Sequence, residues 1–256
     1  MPLPSYDATR TEMSIFDALL KARHDFGASK EILWDGNDDR KLSYNEVVRA
    51  AFALGHALKK MTAKGEHVGI MLPTSAGAVI AFFALHAFGR IPAMLNFTAG
   101  ERAVKAALKL GRIKTVLTAK RFIEIGKLED LVEDLKGVSN LVYLDDLREN
   151  LTLGDKLTAL VGSKLPGLFK ARVKPTDSGV ILFTSGTEGD PKGVVLSHQN
   201  VLANVEQVRC HIELTEDDIV FNPLPTFHCF GLTVGAILPM IVGVKEILYP
   251  SPLHVS

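Results

Sequence analysis

The stretch FTSGTEGDPKGVVLSHQN, Phe183–Asn200, runs from an apolar strand into a series of hydroxyls, glycines and one lysine, then into a second apolar strand and a helix start. Gly186, Gly189 and Gly193 open backbone conformations closed to residues with a Cβ, so successive N–H groups can turn inward toward anionic oxygens. Thr184, Ser185 and Thr187 add hydroxyl donors, and Lys192 is the one cation of the loop. At ~4 Å from a phosphate oxygen a unit charge is worth about 4 kcal/mol at an effective dielectric of 20. Two rival readings exist. A solvated turn needs two such residues, whereas this segment has a whole series. A Walker-type nucleotide loop requires Gly-Lys-Ser/Thr opening a helix, and here Lys192 is followed by Gly193 and a strand.

Upstream, Ile32–Trp34, the turn Gly36–Asp39 and Lys41–Ser43 predict a hairpin entering a helix, with Ser43 and Glu46 spaced as a capping box. Apolar residues then recur at helical spacing through Leu58. Strand Val68–Leu72, a helix through Phe88 and strand Ile91–Leu95 form a βαβ unit. Next come helix Glu101–Leu110, strand Thr115–Thr118, helix Ile125–Leu135 and strand Leu141–Leu144. Leu151–Lys174 interrupts the rhythm and reads as a connector bearing a leucine-rich helix. After it come strand Val180–Thr184, strand Val194–Leu196, helix Asn200–Cys210, strand Ile219–Asn222, helix Leu232–Val242 and strand Glu246–Tyr249. Strands alternating with helices predict an α/β fold with mainly parallel sheets covered by helices on both faces. The expected division is an N-terminal α/β subdomain over residues 1–175 and a phosphate-loop segment over 176–256.

Composition narrows the function. The chain has 256 residues, 47% of them hydrophobic, enough for a sizeable core. Lysine plus arginine and aspartate plus glutamate balance at 29 each, so no net field favours nucleic acid. Cys210 and Cys229 are too few for a disulfide framework, and free thiols in a cytoplasmic protein are expected. The N-terminus lacks the basic start and apolar run of an export signal. The apolar stretches Ala76–Gly89 and Cys229–Val244 fall short of the ~20 residues that span a bilayer. His56, His67, His86, His198 and His211 show no metal-ligand spacing.

TSGTEGDPKG resembles the phosphate-binding signature of the adenylate-forming superfamily, and the order of elements is similar over nearly the whole chain. The resemblance implies the N-terminal portion of the large domain of an ATP-dependent ligase. Such an enzyme makes an acyl-AMP and passes the acyl group to the thiol of CoA or of a carrier protein's phosphopantetheine. It implies ATP and Mg²⁺, with Thr184, Ser185, Gly186, Thr187, Gly189, Lys192 and Gly193 at the nucleotide and Thr187 at the metal. Glu188 departs from the usual threonine or serine; ~7 Å from a phosphate it would oppose binding by about 2 kcal/mol, so it is expected to turn outward. Glutamate there is similar to acyl-acyl-carrier-protein synthetases fused to a 2-acylglycerophosphoethanolamine acyltransferase; fatty acyl-CoA synthetases are the other branch. The first suggests a fatty acid substrate, an acyl carrier protein partner and a full-length protein peripheral to the inner membrane.

LPTFHCFG, Leu224–Gly231, resembles the family segment whose histidine lies near the acyl carboxylate, which makes His228 the candidate catalytic residue. The competing reading is a core histidine beside Phe227 and Phe230. A Cys229–His228 nucleophile pair is disfavoured because neighbours in sequence usually point apart. The family's adenine, ribose and C-terminal lysine positions fall beyond Ser256, so the chain is expected to be an N-terminal fragment that cannot complete adenylation alone. The alternative is a non-catalytic nucleotide-binding or interaction module of the same fold.

Overall fold

The computed structural model describes residues 3–184 and 191–250. Helix α1 (Ile15–Phe26) leads to the hairpin β1 (Glu31–Asp35) and β2 (Arg40–Ser43), then α2 (Tyr44–Lys59). The chain continues through β3 (His67–Ile70), α3 (Ala76–Ala87), β4 (Ile91–Met94), α4 (Glu101–Leu110), β5 (Thr115–Thr118), α5 (Lys120–Gly126), α6 (Glu129–Lys136) and β6 (Asn140–Tyr143). After α7 (Leu144–Glu149), α8 (Leu153–Lys164) and α9 (Pro166–Phe169) come β7 (Ser178–Thr184), β8 (Lys192–Ser197), α10 (His198–His211) and β9 (Ile219–Asn222). The last described elements are α11 (Cys229–Leu232), a π-helical turn (Thr233–Ile237), α12 (Leu238–Val242) and β10 (Lys245–Leu248).

The strands form two sheets. The larger has the order β6-β5-β3-β4-β7-β8, and every neighbouring pair in it is parallel except β7 and β8. The smaller has the order β2-β1-β10-β9, parallel except between β1 and β2. This is the expected α/β class with mostly parallel sheets. The division expected at residue 175 runs through both sheets: β7 and β8 extend the sheet of β3–β6, while β9 and β10 extend that of β1 and β2.

Layering follows from which helix faces are apolar. α3 is buried almost all round, with Val79, Phe82, Phe83 and Leu85 in one core together with α1 and α2. A helix apolar on every side belongs between layers. α4 buries only Val104, Ala107 and Leu108, in a second core on the other side of the larger sheet. The capping box at α2 forms as expected: Ser43 Oγ accepts from Glu46 N, and Glu46 Oε2 accepts from Ser43 N at 2.7 Å. A second box, Ser197 with Asn200, starts α10 directly at the end of β8.

Three local expectations are corrected. The helix expected over Ile125–Leu135 is two helices, because Lys127 takes a left-handed φ of 51°. Leu144 opens α7 instead of ending a strand. The segment 151–174 is packed structure: α8 lies against α2, so closely that a Cβ on Gly162 would meet the Phe52 ring at 3.1 Å. Asp155 anchors that contact, accepting from His56 Nδ1 at 2.7 Å and Lys60 Nζ at 2.8 Å. Burial alone would raise its pKa, but hydrogen bonds from Lys60, Thr152 and His56 hold the carboxyl well below the usual range. Among the described residues no helix is long and apolar enough to cross a membrane.

Candidate functional site

β7 is buried from Gly179 to Phe183 and lies parallel to β4, with Met94 opposite Leu182. It surfaces at Thr184, which is exposed. β8 returns antiparallel, setting Lys192 opposite Thr184 and Gly193 opposite Phe183. Lys192 and Gly193 therefore belong to the strand ladder and not to the loop, and both are exposed. The hydroxyl of Thr184 and the ammonium of Lys192 are carried by cross-strand neighbours. Ser185, Gly186, Thr187, Glu188 and Gly189 lie outside the described residues.

β3, β4 and β7 run parallel, so their carboxyl ends share one edge of the sheet. α3 leaves β3 toward one face and α4 leaves β4 toward the other. Parallel sheets generally bind ligands at the carboxyl ends of their strands.

The segment 223–231 is fastened over that edge. Thr74, just past β3, donates its hydroxyl to Leu224 O at 2.9 Å, and Thr74 O accepts from Asn37 Nδ2 at 3.3 Å. Past β4, the Phe97 ring meets Phe227 edge-on at 5.0 Å. Buried Asn222 spans the loop, accepting from Leu224 N at 3.1 Å and donating to Gly231 O at 3.0 Å. His228 follows, its ring 4.8 Å from that of Phe227, and its carbonyl accepts from Leu232 N to start α11. The side chain is exposed, which rules out the core-histidine reading. Cys229 is an exposed free thiol and Cys210 is also free. The structure thus brings His228, Thr184 and Lys192 to the same edge.

Beneath this segment is an apolar cavity of about 10 Å³, room for roughly one water, lined by Val79, Phe83, Met94, Thr226, Leu232 and Ile237. The Thr226 hydroxyl is buried with no hydrogen-bond partner among the described residues. Among the described residues no cluster of His, Cys, Asp or Glu could hold a metal ion. Thr74, Asn222 and Thr226 escaped the sequence reading. Their roles come from partners distant in the chain or from burial, and only the Asn222 position, at the end of an apolar strand, gave any hint.

Gly231 makes the turn possible. A Cβ there would lie 2.3 Å from Pro225 O. Gly231→Ala is expected to destabilise the protein by about 1–3 kcal/mol through overpacking. Thermal unfolding checks this, and an unchanged midpoint would contradict the close approach.

Comparison with known proteins identifies the family. Residues 21–255 match the family described as AMP-binding enzyme. The acyl-CoA ligase sidI of Beauveria bassiana is 29% identical over 86% of this chain and 38% of its own length. The 4-coumarate-CoA ligase 1 of Narcissus pseudonarcissus is 28% identical over 88% of this chain and 41% of its own. The chain thus spans about two-fifths of the length of these curated relatives. The fatty acyl-adenylate ligase from L. pneumophila, solved with acyl adenylate and pyrophosphate, superimposes with a TM-score of 0.75 at 20% identity, over 97% of this chain and 41% of that one. The matched residues include both strands that carry Thr184 and Lys192, the fold is that of the L. pneumophila structure, and the chain belongs to the AMP-binding enzyme family.

Proposed function

We propose that this chain is the N-terminal part of an ATP-dependent acid–thiol ligase that activates a carboxylic acid as its acyl-adenylate. The observation that carries the reading is the cross-strand pairing of Thr184 with Lys192, which flank the glycine-rich segment of the sequence. ATP supplies an electrophilic α-phosphorus, which the carboxylate attacks with loss of pyrophosphate. Chemistry of this kind is catalysed mainly by positioning and charge stabilisation. Lys192, the hydroxyls of Thr184, Ser185 and Thr187, and the amides of Gly186, Gly189 and Gly193 would hold the leaving phosphates. Thr187 would also take Mg²⁺. His228 sits at the reacting end.

A fatty acid is the favoured substrate. The acyl adenylate named for the L. pneumophila fatty acyl-adenylate ligase supports this. The acceptor is a thiol of CoA, as the relatives' names suggest, or of a carrier protein. The full-length protein is proposed to act in the cytoplasm.

ATP–pyrophosphate exchange with a panel of fatty and aromatic acids tests the assignment. Acid-dependent exchange is expected from the full-length protein and none from this chain alone. Absence of exchange with every acid would refute the ligase reading; robust exchange by the chain alone would refute its incompleteness.

A further inference from the structure

Helix α8 packs inside out. The face it turns toward α2 consists of Asp155, Thr158, Ala159, Gly162 and Ser163, all buried. Its leucines point the other way: Leu153 is 79% exposed, Leu157 60% and Leu160 45%. Leu165 and Leu168 carry the apolar surface past the end of the helix, the latter 78% exposed. A surface helix ordinarily buries its apolar stripe, and a contiguous exposed one marks an interaction site. The inversion has a local cause. Small residues and the ion-paired Asp155 fit the narrow gap against Phe52 and His56, where leucines would not.

The charges on this surface are one-sided. From Leu153 to Lys174 the exposed charges are Lys156, Lys164, Arg172 and Lys174. Lys170 is paired with Asp17 at 2.8 Å, and the one acid, Asp155, faces inward. Lys164 lies four residues from Leu160 and seven from Leu157, within the leucine face.

We propose that the outward face of α8, with these flanking lysines and arginine, docks on the surface of an anionic lipid bilayer. A dry protein partner would cover the leucines but would bury the Lys164 ammonium among them, a costly arrangement without a dedicated counter-charge. A bilayer interface accommodates both parts. The leucines enter the acyl boundary, while the lysine stems lie along them and raise their ammonium groups to the lipid phosphates. The helix lies on the membrane and does not cross it, consistent with its length. The proposal is independent of the ligase reading.

Vesicle co-sedimentation tests it, with phosphatidylcholine vesicles alone and with added phosphatidylglycerol. The protein is expected to sediment with the anionic vesicles and not with the neutral ones. Leu153→Glu with Leu157→Glu should lower binding at least about tenfold with no change in the thermal midpoint, since both sites are exposed. Lys156→Gln with Lys164→Gln leaves the apolar face intact and should weaken binding roughly fivefold per charge. No binding to anionic vesicles would overturn the proposal. So would binding that both double variants retain, or a dimer abolished by the leucine variants in a protein that ignores vesicles.

Discussion

Glu246→Leu is expected to stabilise the protein by about 2 kcal/mol at neutral pH and to remove a pH-dependent loss of stability. Glu246 lies on β10 between Leu33 of β1 and Val220 of β9 and is fully buried. Neither carboxyl oxygen has a hydrogen-bond partner among the described residues. Burial therefore raises its pKa well above the ordinary 4.5. The unfolded chain releases this proton near 4.5 while the folded chain keeps it, so between the two pKa values the folded state binds more protons. Stability from this group is highest below the unfolded pKa and falls as pH rises toward the folded one. Leucine fills a similar volume without a charge or an orphaned polar atom. The midpoint should rise by roughly 2–4 °C per kcal/mol at pH 7, and the advantage should shrink toward pH 4. A variant that melts lower, or whose advantage is the same at both pH values, would show that the carboxyl has a compensating partner.

The sequence made some of this architecture legible and hid the rest for identifiable reasons. Short-range signals were reliable. Ser43 and Glu46 announced α2, and Glu101–Leu110 and Thr115–Thr118 have the bounds their patterns indicate. Failures came where a single residue or a distant contact decides. The break at Lys127 depends on one left-handed residue that is not glycine. The π-turn in Leu232–Val242 places Gly235 against Asn222, which a Cβ would strike at 2.3 Å. The segment read as a connector because nothing in its pattern showed that the narrow contact with α2 selects the small and polar side of α8. At the site, residue types singled out Thr184 and Lys192, whereas His228 was singled out only by the family resemblance of its segment. What periodicity could not show was that Thr74 and Phe97 tie the His228 segment to the strand ends beside them.

In the full-length protein, Lys192→Ala is expected to lower kcat/KM for ATP by roughly 10²–10³-fold and to leave binding of the acid substrate nearly unchanged. A hundredfold loss corresponds to about 2.7 kcal/mol, less than the ~4 kcal/mol of an unscreened contact at a dielectric of 20, as an exposed side chain requires. Lys192 is exposed at the start of β8, so its removal should change stability by no more than about 0.5 kcal/mol, and lost activity would not reflect unfolding. Its register opposite Thr184 fixes where the ammonium starts, which is why Lys192→Arg should recover part of the ATP dependence: the charge remains while its shape and reach alter. Pyrophosphate exchange measured against ATP and then against the acid separates the two effects. If Thr184–Lys192 were merely the base of a solvated turn, alanine would leave both KM values and kcat untouched, and the nucleotide would have to be held elsewhere.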